Sequence, residues 1–220
     1  MADVTAPRLP GLRERKKQRT RAMLVDAAVK LCIENGYDNT TVEQIAAAAE
    51  VSSRTFSRYF PNKDAVMITV LDDLVNAAVA ELAMIAPSVS PLRALACAHT
   101  RALRRVPAGE VTDLTTRRLI LMVNVISSSS ALRLAAAASR LHPLVVAIAA
   151  RMGVDPRDKQ VALIVSLWGA ITAGAWGQLV IGPDDYDDCA VVMADRLDVT
   201  FGEFADIAAA EGRSALPSTT

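Results

Sequence analysis

The sequence predicts an all-α protein in two parts, an N-terminal three-helix helix-turn-helix domain followed by a larger helical-bundle domain. Three observations predict it. Apolar residues recur at helical spacing along most of the 220 residues, and no run of alternating β-branched residues is bounded by hairpin turns. Two short helices fit between residues 40 and 60, and the helices lengthen beyond Pro87. With 52% hydrophobic residues, the chain can bury sizeable cores.

Residues 1–12 lack periodicity and read as a mobile N-terminal arm. A first helix from about Arg13 to Glu34 puts Leu24, Ala27, Ala28 and Leu31 on one face and stops at Asn35-Gly36. Thr40 or Thr41 then caps a short helix, Val42–Ala49, with Glu43 and Gln44 in its first turn. A tight connection through Glu50-Val51 leads to a third helix, capped by Ser52 or Ser53 and running to about Phe60. Pro61-Asn62 breaks it, and a fourth helix spans Lys63 to about Ile85. Further helices are expected at about Pro91–Val106, Glu110–Ile126, Ser130–Met152 with a kink at Pro143, Pro156–Ile181 and Asp185–Ala210. Residues 13–62 are expected to form a small first domain and 63–211 a larger second one, with 63–85 as connecting helix and 212–220 as a mobile tail.

The formal net charge is zero, but the two ends differ in sign. Residues 1–64 carry 11 Lys/Arg against 8 Asp/Glu, whereas residues 65–220 carry 13 against 16. Between Arg8 and Arg21 seven cations (Arg8, Arg13, Arg15, Lys16, Lys17, Arg19, Arg21) face one acid, Glu14. Such an end attracts polyanions, and the Arg13–Arg21 run is expected to touch DNA backbone. Cys32, Cys97 and Cys189 lie far apart without CxxC spacing, so they suggest reduced thiols in a cytoplasmic protein, with neither a disulfide framework nor a zinc site. No secretory signal is read at the N-terminus.

Within residues 40–64, Val42, Ile45, Ala46, Ala49, Val51, Phe56 and Phe60 can form a small core. That leaves Ser52, Ser53, Arg54, Thr55, Ser57 and Arg58 of the third helix for DNA or solvent. Guanidinium groups pair with guanine edges in the major groove, and hydroxyls reach bases or phosphates. The stretch from Ala27-Ala28 through Gly36-Tyr37-Asp38-Asn39-Thr40-Thr41-Val42, Ile45-Ala46, Val51-Ser52 and Arg54-Thr55-Phe56 to Tyr59-Phe60-Pro61-Asn62-Lys63-Asp64 resembles the N-terminal domain of the TetR family of repressors. The resemblance covers about residues 15–70. It implies a two-domain all-helical homodimer in which effector binding changes the separation of two DNA-reading heads. It also implies phosphate contacts from Thr40 or Thr41 and from Lys63, and a Tyr59 that packs with its ring while its hydroxyl reaches phosphate. Two positions depart from the pattern: Glu50 stands where the turn usually has glycine, and Ser57 where an aromatic is common.

In the second part, the charge-free stretch Val161–Ile181 carries small residues four apart (Gly169, Ala173 and Gly177; Ala170 and Gly174). Such spacing suits close helix packing, in a membrane or in a soluble dimer seam. No basic cluster flanks it, and the resemblance favours the seam, so a homodimer through helices at about 156–181 and 185–210 is expected, with no membrane partner. Asp184, Asp185, Asp187 and Asp188 read as helix-start acids rather than a metal site. An effector pocket is expected between the fourth helix and helices five to eight, lined by Met84, His99, Leu103, Met122, Val125, Ile126, Leu141, Trp168 and Trp176. Its apolar character favours a small hydrophobic or aromatic effector. No nucleophile elbow, P-loop, dinucleotide fingerprint or HExxH motif is present, so neither catalytic residues nor a cofactor are expected. The reading is a repressor released from a pseudo-palindromic double-stranded operator by its effector.

Overall fold

The computed structural model describes residues 11–109, 115–128, 141–177, 179, 181 and 187–213, without the side chains of residues 14, 122, 125–128 and 141. Every regular element among them is helical. The chain divides into two units, Met1–Met67 and Ile68–Thr220.

In the first unit, α1 (Leu12–Asn35) ends at Gly36. Its φ of +85° turns the backbone away while its N–H closes on the Cys32 carbonyl at 3.1 Å. α2 (Val42–Ala48) starts from a complete capping box. Thr41 Oγ1 accepts from the Gln44 N–H at 3.2 Å, and Gln44 Oε1 accepts from the Thr41 N–H at 2.8 Å. Thr41 is therefore the cap. Thr40 is buried and donates its hydroxyl to the Gly36 carbonyl at 2.8 Å.

α2 and α3 (Ser53–Tyr59) are joined by a Schellman turn. Val51 N–H bonds the Ala46 carbonyl at 2.9 Å and Glu50 N–H the Ala47 carbonyl at 3.0 Å. Glu50 occupies the left-handed position at φ +55°, the one non-glycine residue with positive φ among the described residues. Ser52 Oγ then accepts from the Thr55 N–H at 3.1 Å and starts α3. Leu24, Ala28, Ile45, Ala46, Ala49, Phe56 and Phe60 are buried, whereas Val42 and Val51 are half-buried at the rim.

α4 (Lys63–Ala83) opens under an Asn62 cap, with Asn62 Oδ1 accepting from the Ala65 N–H at 2.9 Å. Its first turn belongs to the first unit. Lys63 Nζ donates to the carbonyls of Tyr37 at 2.6 Å and Thr40 at 2.9 Å, and the Tyr37 hydroxyl donates to Asp64. The division consequently falls after Met67, five residues beyond the boundary expected at 62/63.

The second unit holds the rest of α4 with α5 (Pro91–Arg105), α6 (Thr116–Ser128), α7 (Leu141–Met152), α8 (Lys159–Trp176) and α9 (Cys189–Arg213). α9 lies along α5 and α8, and α7 packs on α8. Leu95, Leu103, Ile148, Trp168 and Met193 are among its fully buried side chains. α8 is shorter at both ends than the expected Pro156–Ile181. Residues 155–158 form a turn, the Asp158 carboxylate accepts from the Gln160 N–H at 2.7 Å, and the helix stops at Trp176. α6 starts at Thr116 rather than Glu110, with Thr115 Oγ1 accepting from the Arg118 N–H at 3.3 Å; residues 110–114 lie outside the described residues. The first half of the helix expected at Ser130–Met152 also lies outside them, and its described part, with Pro143, is α7. No described helix is long and apolar enough to cross a membrane.

Candidate nucleic-acid interface

α3 has seven residues, and its period divides them cleanly. Phe56 turns inward with Phe60 just beyond the helix, their ring centroids 5.8 Å apart, while Arg54, Ser57 and Arg58 are exposed. The hydroxyls of Ser52, Thr55 and Ser57 are already engaged locally. Ser52 Oγ and Thr55 Oγ1 lie 3.0 Å apart, and Ser57 donates to the Ser53 carbonyl at 3.0 Å. Their oxygens can still accept, but the outward donors with reach are the Arg54 and Arg58 guanidiniums.

α1 crosses the C-terminal end of this helix. The Arg21 guanidinium lies over the Phe60 ring at 4.7 Å, and the Arg58 guanidinium over the Tyr59 ring at 5.3 Å. Thr20, half-buried, donates its hydroxyl to the Lys16 carbonyl at 3.0 Å. The neighbouring Thr20 hydroxyl is the main influence holding the Tyr59 phenol below its ordinary pKa; Arg58 and Lys17 add to it, and burial opposes it. Tyr59 thus packs with its ring and keeps its hydroxyl among donors and cations.

One expected contact requires correction. Thr40 is 1% exposed with its hydroxyl spent on Gly36, so Thr41, which is exposed, is the threonine able to face a phosphate. Lys63, half-buried, directs its ammonium to two backbone carbonyls and sits over the Tyr37 ring at 3.9 Å. It pins the α1–α2 connection with two of its three donors. The same clasp raises the Tyr37 pKa, through burial first and then through its bond to Asp64. Cys32 beneath it is also raised by burial, partly offset by Thr40 and Lys63.

The expected effector-pocket residues separate into three groups. His99, Leu103, Trp168 and Trp176 are buried together with the core of the second unit. His99 Nδ1 donates to the Leu95 carbonyl at 3.0 Å with its ring 4.7 Å from that of Trp168, and Trp176 Nε1 donates to the Met193 carbonyl at 3.0 Å. Met84 is corrected: α4 ends one residue earlier, and the side chain is 79% exposed. The side chains of Met122, Val125, Ile126 and Leu141 lie outside the described residues.

A capped helix, a Schellman turn and a second capped helix with an outward arginine face define a helix-turn-helix DNA-binding protein. Residues 24–70 match the family described as bacterial regulatory proteins, tetR family. The HTH-type transcriptional regulator TcmR of Streptomyces glaucescens is 37% identical over 158 residues, 70% of this chain and 70% of TcmR. RutR of Escherichia coli K12, another HTH-type transcriptional regulator, is 31% identical over 90 residues, 41% of this chain and 42% of RutR. The fold matches that of Thermus thermophilus FadR, a TetR-family transcriptional repressor solved in complex with lauroyl-CoA, at a TM-score of 0.50 and 20% identity, covering 91% of this chain and 98% of that one. The chain belongs to the TetR family of transcriptional regulators.

Proposed function

We propose that this regulator is a homodimeric repressor whose α3 helices read the major grooves of a pseudo-palindromic operator, and that a small hydrophobic or aromatic effector releases it. The observation carrying the DNA reading is the orientation of α3, with Phe56 buried and Arg54 and Arg58 outward. Ser52, Ser53, Thr55 and Ser57 surround the arginines as acceptors, and Thr41 and Tyr59 flank them as phosphate contacts.

Support for the dimer comes from α8 and α9, whose outer faces carry Leu163, Val199 and Ile207 at 60%, 62% and 63% exposure. Small residues Gly169, Ala170 and Ala173 lie exposed beside Leu163 on α8. A second copy of the same faces would cover them. The effector is assigned to the aromatic core around His99 and Trp168, where an apolar ligand would have to displace packed side chains and so bias the bundle between two arrangements. FadR of Thermus, with the same fold, holds a fatty-acyl thioester ligand.

The test is the double substitution Arg54→Ala with Arg58→Ala in the full chain. A duplex selected from genomic fragments by the wild-type protein should lose specific retardation, since each bidentate base contact is worth about 1–3 kcal/mol. Sedimentation should still show the dimer. Specific binding retained by the double variant would remove α3 from the recognition role.

A further inference from the structure

α4 runs unbroken from Lys63 to Ala83, so it starts in the first unit and continues through the second. It is gripped in both. In the first unit, Lys63 donates to the carbonyls of Tyr37 and Thr40, and Asp64 accepts from the Tyr37 hydroxyl. In the second, two acids of α4 meet arginines of neighbouring helices: Arg118 of α6 donates to Asp73 at 3.3 Å, and Arg105 of α5 donates to Glu81. The two ion pairs are unequal. The Arg105 side chain is 50% exposed, so solvent screens that pair and its contribution is small. The Arg118 and Asp73 side chains are only 10% and 18% exposed, and Arg118 is the one buried lysine or arginine among the described residues. Its guanidinium has given up its water, so removing the Asp73 carboxylate leaves a buried charge short of its counter-charge. Leu74, beside Asp73, and Leu119, beside Arg118, are also buried, so water returns to the guanidinium by parting α4 from α6.

We propose that Asp73 and Arg118 are positioning residues for operator binding: their ion pair seats α4 on α6 and thereby sets operator affinity without either residue touching DNA. The proposal rests on the reading of α3 as the DNA-facing helix. Asp73 lies ten residues beyond Lys63, about 15 Å along the axis at a rise of 1.5 Å per residue. The hydrogen bonds of that stretch close within the helix, so a shift at Asp73 is passed on to the first turn rather than absorbed. There the Lys63 and Asp64 bonds deliver it to the α1–α2 connection, next to the Thr41 cap of α2. With the pair intact, one seat of α4 is favoured. With half of it removed, a second arrangement that hydrates the remaining charge gains population, and apparent operator affinity falls with the fraction of molecules left in the first. The phosphates contacted by that fraction stay the same in number, which separates this effect from the loss of a DNA contact.

The experiment measures the affinity of the full-length protein for its selected duplex across a salt series, expressed per folded molecule from helical content and sedimentation. Asp73→Leu and Arg118→Met should each weaken binding by about tenfold or more, with the slope of log K against log salt unchanged. The double variant Asp73→Leu/Arg118→Met should return to within about threefold of wild type, because apolar side chains keep α4 on α6 with no charge left to hydrate. Glu81→Gln, which opens the exposed pair, should cost less than about threefold. Single variants that bind like wild type and differ only by a lower unfolding midpoint would reduce the pair to a structural role and overturn the proposal. A double variant as weak as the single ones would overturn it as well. Failure of the proposal alone leaves Arg54→Ala damaging to the selected duplex, whereas failure of the α3 reading leaves Arg54→Ala without effect.

Discussion

Lys63 and Thr40 illustrate how a polar side chain at a helix start can be spent inside the fold. Both sit where the family pattern implies DNA-backbone contact, and both point inward, Thr40 to Gly36 and Lys63 to the carbonyls of Tyr37 and Thr40. Buried carbonyls need donors, and in a domain this small these are the donors that supply them. Glu50 is the opposite case, a residue whose side chain is exposed but whose backbone is constrained. The Schellman turn requires φ near +55°, a conformation that costs a side-chain-bearing residue roughly 1–2 kcal/mol and glycine almost nothing. Replacing Glu50 with glycine should therefore stabilise the protein by about 1 kcal/mol, after allowing for the larger backbone entropy of glycine in the unfolded chain. A thermal unfolding curve should move upward by about 2–4 °C. An unchanged or lower midpoint would mean that the turn is already relaxed around the glutamate.

At the scale of elements, the helices most legible in the sequence are those whose ends are written locally. Gly36, the Thr41/Gln44 box, Ser52 and Asn62 each terminate or start a helix through bonds made within a few residues, so α1 to α4 begin within a residue or two of expectation. The outward placement of Arg54 and Arg58 on α3 was legible for the same reason, since a seven-residue helix with Phe56 inward leaves little choice. A placement set by a residue far along the chain was not, as with the Arg21 guanidinium over the Phe60 ring. The end of α4 shows the same limit. It is held by Arg151 of α7, whose guanidinium donates to the carbonyls of Ile85 at 3.0 Å, Val89 at 2.9 Å and Ala86. No local pattern announces that an arginine more than sixty residues away caps this turn. Arg151→Met keeps much of the stem's packing but strands the Ile85 and Val89 carbonyls, since Ala86 keeps the Val89 N–H, a loss of about 1–3 kcal/mol. Hydrogen exchange should accelerate in residues 84–90, with the amides of α2 and α3 unchanged. Equal protection in both proteins would show that water or another donor replaces the guanidinium.

For the whole molecule, the question is what covers the outer faces of α8 and α9. Beyond Lys159 α8 carries no charge, yet within one chain it is only half covered. Val161, Val165, Trp168 and Ile171 face the core, while Leu163 and the small residues beside it face outward. Packing within the chain requires glycine at neither of two exposed positions: a Cβ on Gly174 would meet the Thr200 methyl of α9 at an ordinary 3.5 Å, and Gly169 has open space around it. A two-fold dimer places each outer face on its own copy, so a single charged substitution is introduced twice and close to its mate. Leu163→Asp should therefore drive the protein to monomers in sedimentation while leaving its helical content and the buried core of each chain intact. A monomer carries one α3 instead of two linked ones, so retardation of the selected duplex should weaken by at least 10²-fold, as expected when a second linked contact is lost. Addition of a heterologous dimerising segment should restore part of it. A Leu163→Asp variant that stays dimeric with full affinity would move the seam away from this face, and would require some other pairing to bring two recognition helices onto one operator.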